Sequence, residues 1–249
     1  METITKKTRA VGTSAGVLLP RSWLNKRVVV TLEEKNIENI TKEIINFLVE
    51  KNLLNEVKGI YLIGSYARDE ESSDSDVDIL ILTKKTNKLI DYLGYEINMI
   101  SEDNFSKNLE SNIYRLSTLR EAIVILNSEL IEKYRETKIN LNLKKFIDEV
   151  KGVIKINESV LEDLKITNKN VPDATIYSII LRLREIYYAK CLLRNKTPSK
   201  KELLKYIGEN AYFAYSRVKR ERKEINDLSY SEACKLIELS KKWLKELKD

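Results

Sequence analysis

Two short stretches carry residues whose types and spacing could do chemistry: Gly64-Ser65 and, after ten intervening residues, Asp76-Val77-Asp78. Side chains alternate along a strand, so Asp76 and Asp78 at the head of an extended segment project from one face, about 6–7 Å apart along the backbone. Two carboxylates so placed can grip one hard cation, and magnesium takes such oxygen ligands while substrate phosphates complete its octahedron. The pair opens a run as apolar as Ile79-Leu80-Ile81-Leu82, where two acids on the same face are unfavourable without a cation. Gly64-Ser65 offers the complementary half. Glycine lets the backbone approach an anion closely, and the start of a helix together with a hydroxyl supplies donors to phosphate oxygens. Arg68, about one turn on, brings a guanidinium suited to a terminal phosphate.

Composition narrows the alternatives. The chain has no histidine and two cysteines among 249 residues. That excludes Ser-His-Asp and Cys-His catalysis, His-ligated zinc and a histidine base, and leaves too few thiols for a cysteine zinc site. Cys191 and Cys234 fall in helical patterns and are expected to be a buried, reduced pair. Whatever chemistry occurs must use carboxylates, hydroxyls, Lys, Arg, Tyr and a hard metal ion. No apolar stretch approaches the roughly 20 residues of a membrane span, and Met1 to Ala10 lacks the apolar core of a secretory signal. The expected setting is therefore the cytoplasm, with no membrane partner.

The elements that must position these residues fall into three segments, an α+β organisation. Residues 1–35 read as short strands and turns, with Thr3-Ile4-Thr5 alternating, Val17-Leu18-Leu19 apolar, and Arg27 to Leu32 β-branched. So short a unit cannot bury a core alone. Residues 36–140 read as a mixed-sheet unit. Ile37, Ile40, Ile44, Phe47, Leu48 and Leu54 follow helical spacing. Gly59 to Ile63 is a strand ending at Gly64-Ser65, and Val77 to Thr83 is one buried on both faces. Tyr95 to Ile100 and Ala122 to Leu126 are two more strands, and Ser128 caps a helix through Tyr134. Residues 141–249 read as helices over about 142–166, 173–195, 199–219 and 229–248, with capping-box spacing at Ser199/Glu202 and Ser229/Glu232. Asn168 to Asp173 is a loop, and Leu236, Leu239, Trp243 and Leu247 form a core stripe on the last helix.

Gly64-Ser65-Tyr66-Ala67-Arg68 … Ser75-Asp76-Val77-Asp78 resembles the G-S-x-A-R-G … S-D-x-D signature of the DNA polymerase β-type nucleotidyltransferases, the minimal and kanamycin-nucleotidyltransferase-like branches most of all. The resemblance implies a mixed sheet, two Mg²⁺ ions and transfer of a nucleotidyl group from an NTP, ATP foremost, to an acceptor hydroxyl. It implies Asp76, Asp78 and a third carboxylate, matched by Glu96 in Tyr95-Glu96-Ile97-Asn98, as catalytic metal ligands. Gly64, Ser65 and Arg68 would bind the nucleotide. The sequence departs from the pattern at Asp69, where the family has glycine, and in using Glu as the third acid. Glu70, Glu71 and Asp74 add negative charge near the expected triphosphate.

The flanks bear on partners. Of the net charge of +6, residues 1–30 hold +5. Val11 to Trp23 followed by Val28-Val29-Val30 resembles the AbrB-like swapped-hairpin family, which implies a homodimer and DNA binding with Lys6, Lys7 and Arg9 on phosphates. A hairpin that only dimerises is the other reading. The helical half is similar in placement to the substrate-side bundle of kanamycin-type enzymes, with Arg182, Arg184, Tyr187, Tyr188, Arg217, Lys219 and Arg220 available to line an acceptor groove. A DNA-binding transcriptional regulator that senses nucleotide, and an antitoxin-like protein that modifies a partner protein, are the competing functions. The acceptor, whether protein, RNA or small molecule, is left open.

Overall fold

The computed structural model describes residues 4–6, 8–31, 35–71, 75–107, 109–138, 140–167 and 170–247. Thr3, Lys7, Leu32, Asp74 and Asn168, named above, lie outside the described residues.

The helical spacing of Ile40, Ile44, Phe47 and Leu48 becomes α1 (Ile37–Glu50), whose first turn is capped by the Asn36 side chain accepting from Asn39 N–H. Its apolar stripe lies on a five-stranded mixed sheet. The strands are β3 (Val57–Ile63), β4 (Val77–Thr83), β5 (Lys88–Tyr92), β6 (Tyr95–Ser101) and β7 (Ile123–Leu126), in the order β5-β6-β4-β3-β7. Only β4 and β6 run parallel, with Asp78 opposite Glu96; β3 is antiparallel to β4, with Ile63 opposite Asp78. One sheet face packs Ile60, Leu62, Val77, Ile79, Ile81, Tyr95, Ile97 and Met99 against α1. The other packs Tyr61, Leu80 and Leu82 under α3 (Glu102–Ser106), α4 (Ile113–Glu121) and α5 (Ser128–Arg135). The alternation of β6 leaves Glu96, opposite Asp78, and Asn98, opposite Leu80, exposed while Tyr95, Ile97 and Met99 are buried.

The helical half consists of α6 (Leu143–Thr167), α7 (Asp173–Leu193), α8 (Lys200–Ile207), α9 (Glu209–Lys219) and α10 (Tyr230–Glu246), which share one apolar core. The stripe on α10 enters it through Leu236, Trp243 and Leu247, with Leu239 packed at its edge. Leu192 of α7 instead joins the core beneath α4 and α5, tying the bundle to the sheet. Asp173, fully buried, accepts from Arg217 Nε and Nη2 at 2.6 and 2.8 Å and from Ile225 N–H at 3.0 Å. That two-pronged pair staples the end of α9 and the loop after it to the start of α7. Both cysteines are free, Cys191 buried and Cys234 half-buried. Among the described residues no helix is long and apolar enough to cross a membrane.

Several expectations need correction. Residues 27–31 form no strand, and Val29 and Val30 stand 90% and 75% exposed; β-branched propensity makes a strand only where a partner supplies the ladder. The N-terminal pairing is a small hairpin of β1 (Arg9–Val11) and β2 (Ser14–Gly16). The helix expected over 199–219 breaks at Gly208, whose φ of +81° separates α8 from α9. The cap of α5 is Asn127, not Ser128. Glu232 completes its box with Ser229, but Glu202 accepts from the Tyr187 hydroxyl instead of reaching back to Ser199.

Candidate active site

β3 ends at Ile63, and the chain turns at Gly64 into the single-turn helix α2 (Gly64–Ala67). Gly64 has φ +73°, and a Cβ there would overlap the Asp78 carboxylate, with Asp78 Cγ 2.8 Å and Cβ 3.0 Å away. Glycine is required twice, for the left-handed backbone and for the close approach. The two halves of the sequence pattern are thus in direct contact: the turn backbone lies against the second aspartate.

Asp78 and Glu96 are register partners on parallel neighbours, so their side chains leave the same face. Asp78 is half-buried and Glu96 exposed. Burial first, and then the charge of Glu96, push the Asp78 carboxyl up to about 6; Glu121 adds to this, while Lys219 and Arg68 pull it down. Asp76 stands one residue ahead of β4 and is exposed. Its charge bears on Tyr66 of α2, whose hydroxyl is raised by burial and then by Glu71 and Asp76. β4 begins at Val77, so Asp76 is its immediate predecessor and Asp78 its second residue. Among the described residues no three carboxylates converge into a ready metal cage. The Asp78–Glu96 pair is the part of the expected triad that the sheet register brings together. The paired carboxylates of Asp78 and Glu96 offer all-oxygen donors that suit a hard divalent cation.

Arg68 follows α2 and lies between two acids. Its Nη1 donates to Glu121 Oε2 at 2.5 Å and its Nε to Glu70 Oε2 at 3.1 Å. Burial works against its charge, yet Glu121, the nearby Tyr188 and Glu70 together raise the guanidinium above its ordinary value. Glu121, the last residue of α4, also accepts the Gly64 N–H at 2.9 Å; burial keeps its carboxyl above the usual range despite Arg68 and that N–H. Glu70 does more than add charge. It accepts from Ser199 Oγ at 2.5 Å, Lys200 N–H at 2.8 Å and Lys201 N–H at 3.3 Å, occupying the start of α8 as a helix-capping anion. Burial raises its carboxyl, but these donors outweigh burial and hold it below its ordinary value. Asp69, where the signature has glycine, takes the left-handed conformation with φ +52°.

The residues expected to line an acceptor groove separate. Arg217 belongs to the Asp173 staple, Arg182 pairs with Glu185 at 2.6 Å, and Tyr187 is buried against Glu202. Arg184 donates to the Tyr215 and Tyr188 hydroxyls and lies over both rings. Arg220 is the exposed C-cap of α9. Tyr188 and Lys219 are the two that come within electrostatic reach of Arg68 and Asp78. Sequence reading missed Glu121 and the capping role of Glu70, because their partners lie 57 and about 130 positions away. A cleft of about 560 Å³ opens beside this cluster, lined by Arg68, Glu70, Arg120, Glu121, Thr197 and Lys201 among others. Lys6 and Arg9 are exposed at the N-terminal hairpin.

The nucleotidyltransferase-domain family pattern matches residues 41–186, from α1 into α7 and including both halves of the site. A putative protein adenylyltransferase of Methanocaldococcus jannaschii is 34% identical over 80 residues, spanning 28% of this chain and 76% of that protein. Among solved structures, a nucleotidyltransferase-like protein from Exiguobacterium sibiricum aligns over 83% of this chain and 75% of its own at 11% identity. Its TM-score of 0.36 is too slight a likeness to bear on fold or function.

Proposed function

Because the chain belongs to the nucleotidyltransferase family and is a transferase enzyme, we propose that it moves a nucleoside monophosphate from an NTP, ATP foremost, to an acceptor hydroxyl at the Gly64–Asp78–Glu96 site. The observation that carries this reading is the contact between the turn and the acid: Gly64 lies against the Asp78 carboxylate, so a phosphate held at Gly64-Ser65 would sit next to it. Asp78, Glu96 and Asp76 would hold two Mg²⁺ ions, which when bound supply Lewis-acid activation of the acceptor hydroxyl and neutralise the leaving group. The Ser65 hydroxyl and Arg68 bind the β- and γ-phosphates and set the α-phosphate in line with the acceptor. The acceptor oxygen forms its bond to the α-phosphorus as the bridge to the β-phosphate breaks and pyrophosphate departs. Glu96, the exposed member of the pair, takes the hydroxyl proton. Lys219, at the end of α9 and within electrostatic reach of Asp78, adds positive charge from the bundle.

The printed name of the relative makes a protein side-chain hydroxyl the first acceptor to test. Incubation with an NTP labelled at the α-phosphate should give Mg²⁺-dependent transfer to protein, and Asp76→Ala/Asp78→Ala should reduce it to background. Transfer undiminished by that double change would refute the proposal.

The N-terminal hairpin is proposed to serve a second copy of the chain and DNA. The exposed Val29 and Val30 favour a partner strand, and Lys6, Arg9, Arg21, Lys26 and Arg27 in the same segment are exposed. Deleting residues 1–35 should convert a dimer to a monomer on sizing and abolish salt-sensitive DNA binding. A truncated chain that still dimerises and binds DNA as before would rule this role out.

A further inference from the structure

Glu121 closes α4, and its carboxylate reaches back across the start of α2. One oxygen accepts the Gly64 N–H at 2.9 Å and the other accepts from Arg68 Nη1 at 2.5 Å. Only 8% of its side chain is exposed. A carboxylate so far from water must be met by donors, and both of these belong to the turn assigned above to phosphate binding, so the inference rests on that reading. A guanidinium carries five N–H donors in one plane. With Nε committed to Glu70 and Nη1 to Glu121, the plane is fixed and the remaining donors are carried in a set orientation.

We propose that Glu121 is a positioning residue for phosphate recognition: it orients Arg68 and pins the Gly64 backbone, without touching the reacting atoms. The opposite geometry is a carboxylate standing in for a phosphate oxygen, obliged to leave when nucleotide arrives. Two observations favour positioning. Glu121 is two residues ahead of Ile123, which pairs with Leu62 on β3, so its backbone is tied to the strand that ends at the turn. Its side chain is enclosed rather than swung out over solvent. A placeholder has to move; this carboxylate is held from both ends.

The test is steady-state transfer from α-labelled MgATP by the full chain, with thermal melting alongside. Glu121→Gln keeps an oxygen for Gly64 and removes the charge that orients Arg68. KM for the nucleotide should rise about tenfold while kcat stays within about threefold, the pattern of lost binding interactions common to ground and transition states. In an Arg68→Ala background, Glu121→Gln should change nothing further, because residues acting through one contact are not additive. A merely structural defect would multiply instead, and that outcome overturns the proposal. So does an unchanged KM, and so does a lowered KM, which would identify the placeholder. Should Glu121→Gln fail to fold, Glu121→Asp replaces it: its shorter arm cannot span both donors, KM should rise several-fold, and no rise overturns the proposal. A wild-type chain that neither binds nor turns over an NTP defeats the underlying reading. Wild-type turnover with indifferent Glu121 variants defeats this inference alone.

Discussion

Asp78→Asn should melt several degrees above the wild-type chain in metal-free buffer at pH 7 and transfer no nucleotide. The stability half follows from linkage. Burial and the neighbouring Glu96 raise the Asp78 carboxyl from 3.8 to about 6 in the folded chain. For an acid so raised, the folded state holds its proton more tightly than the unfolded state. Between roughly pH 4 and 6 the unfolded chain binds fewer protons, so stability from this group falls as pH rises and stays lowered above 6. Two units correspond to about 3 kcal/mol at most, and for a chain of this size each kcal/mol moves Tm by roughly 2–4 °C. Asparagine keeps the shape and removes the charge. The useful quantity is the difference between variant and wild type, which should be full at pH 7 and vanish towards pH 4. Acids whose pKa is lowered by partners, such as Glu70, Glu102 and Asp173, act on both proteins alike and cancel.

The activity half follows from what the charge is for. A ligand whose loss removes several kcal/mol of transition-state stabilisation costs on the order of a thousandfold in rate. Saturating Mg²⁺ should stabilise the wild type by mass action and leave Asp78→Asn nearly unmoved, closing the gap in Tm. The residue would then be a liability kept for function, destabilising until a cation joins it. Melting curves at pH 4 to 8, with chelator and with Mg²⁺, decide the matter. An asparagine variant less stable than wild type at pH 7, or one that still transfers, would show that the pair is not held in reserve for a cation.

What the sequence made legible was the part whose physics is local. The apolar run Val77 to Thr83 can only be a central strand, and the structure begins and ends β4 at those residues. The helical spacing around Ile40 and Phe47 and the Ser229/Glu232 cap are equally local signals, and each became its element. β5 gave no such signal, since Lys88 to Tyr92 sits at the sheet edge with Leu89 65% exposed. Over the described residues 27–31 the expected strand is absent for the complementary reason: propensity is present, and among the described residues no strand pairs with them.

The site divides in the same way. Gly64, Ser65, Asp78 and Glu96 could be read because strand alternation and a turn place them, and register then sets Asp78 beside Glu96. Arg68 was read as a guanidinium for a terminal phosphate, and in the structure two acids hold it. Glu121 went unread, since nothing local to α4 announces that the chain brings it to Gly64. Glu70 looks like surplus negative charge, yet the fold spends it on the first turn of α8. Long-range pairing of buried charge has no sequence period, so it appears only once the layers are stacked.

The same contact predicts that Gly64→Ala will abolish more activity than its single methyl suggests. Two effects act together. A non-glycine residue at φ +73° is strained by about 1–2 kcal/mol. The added carbon would also overlap the Asp78 carboxylate and lie 3.0 Å from Asp78 Cβ. The carboxylate can rotate away from a clash; Cβ cannot, because β4 is clamped between β3 and β6. Relief must come from the turn moving outward, which would stretch the Gly64 N–H bond to Glu121 and shift Ser65 and Arg68 with it. We expect a loss of about 2–4 kcal/mol in stability, within the range for strain plus overpacking, and a fall in kcat/KM of about a hundredfold or more, as misplacement by an ångström can cause. Gly12→Ala is the control. Its φ of +58° imposes comparable backbone strain, but nothing lies within 4 Å of the added carbon, so nucleotide transfer should be unaffected. If Gly64→Ala transferred nucleotide within threefold of wild type, the turn and the aspartate would not be working as one site, whatever their proximity.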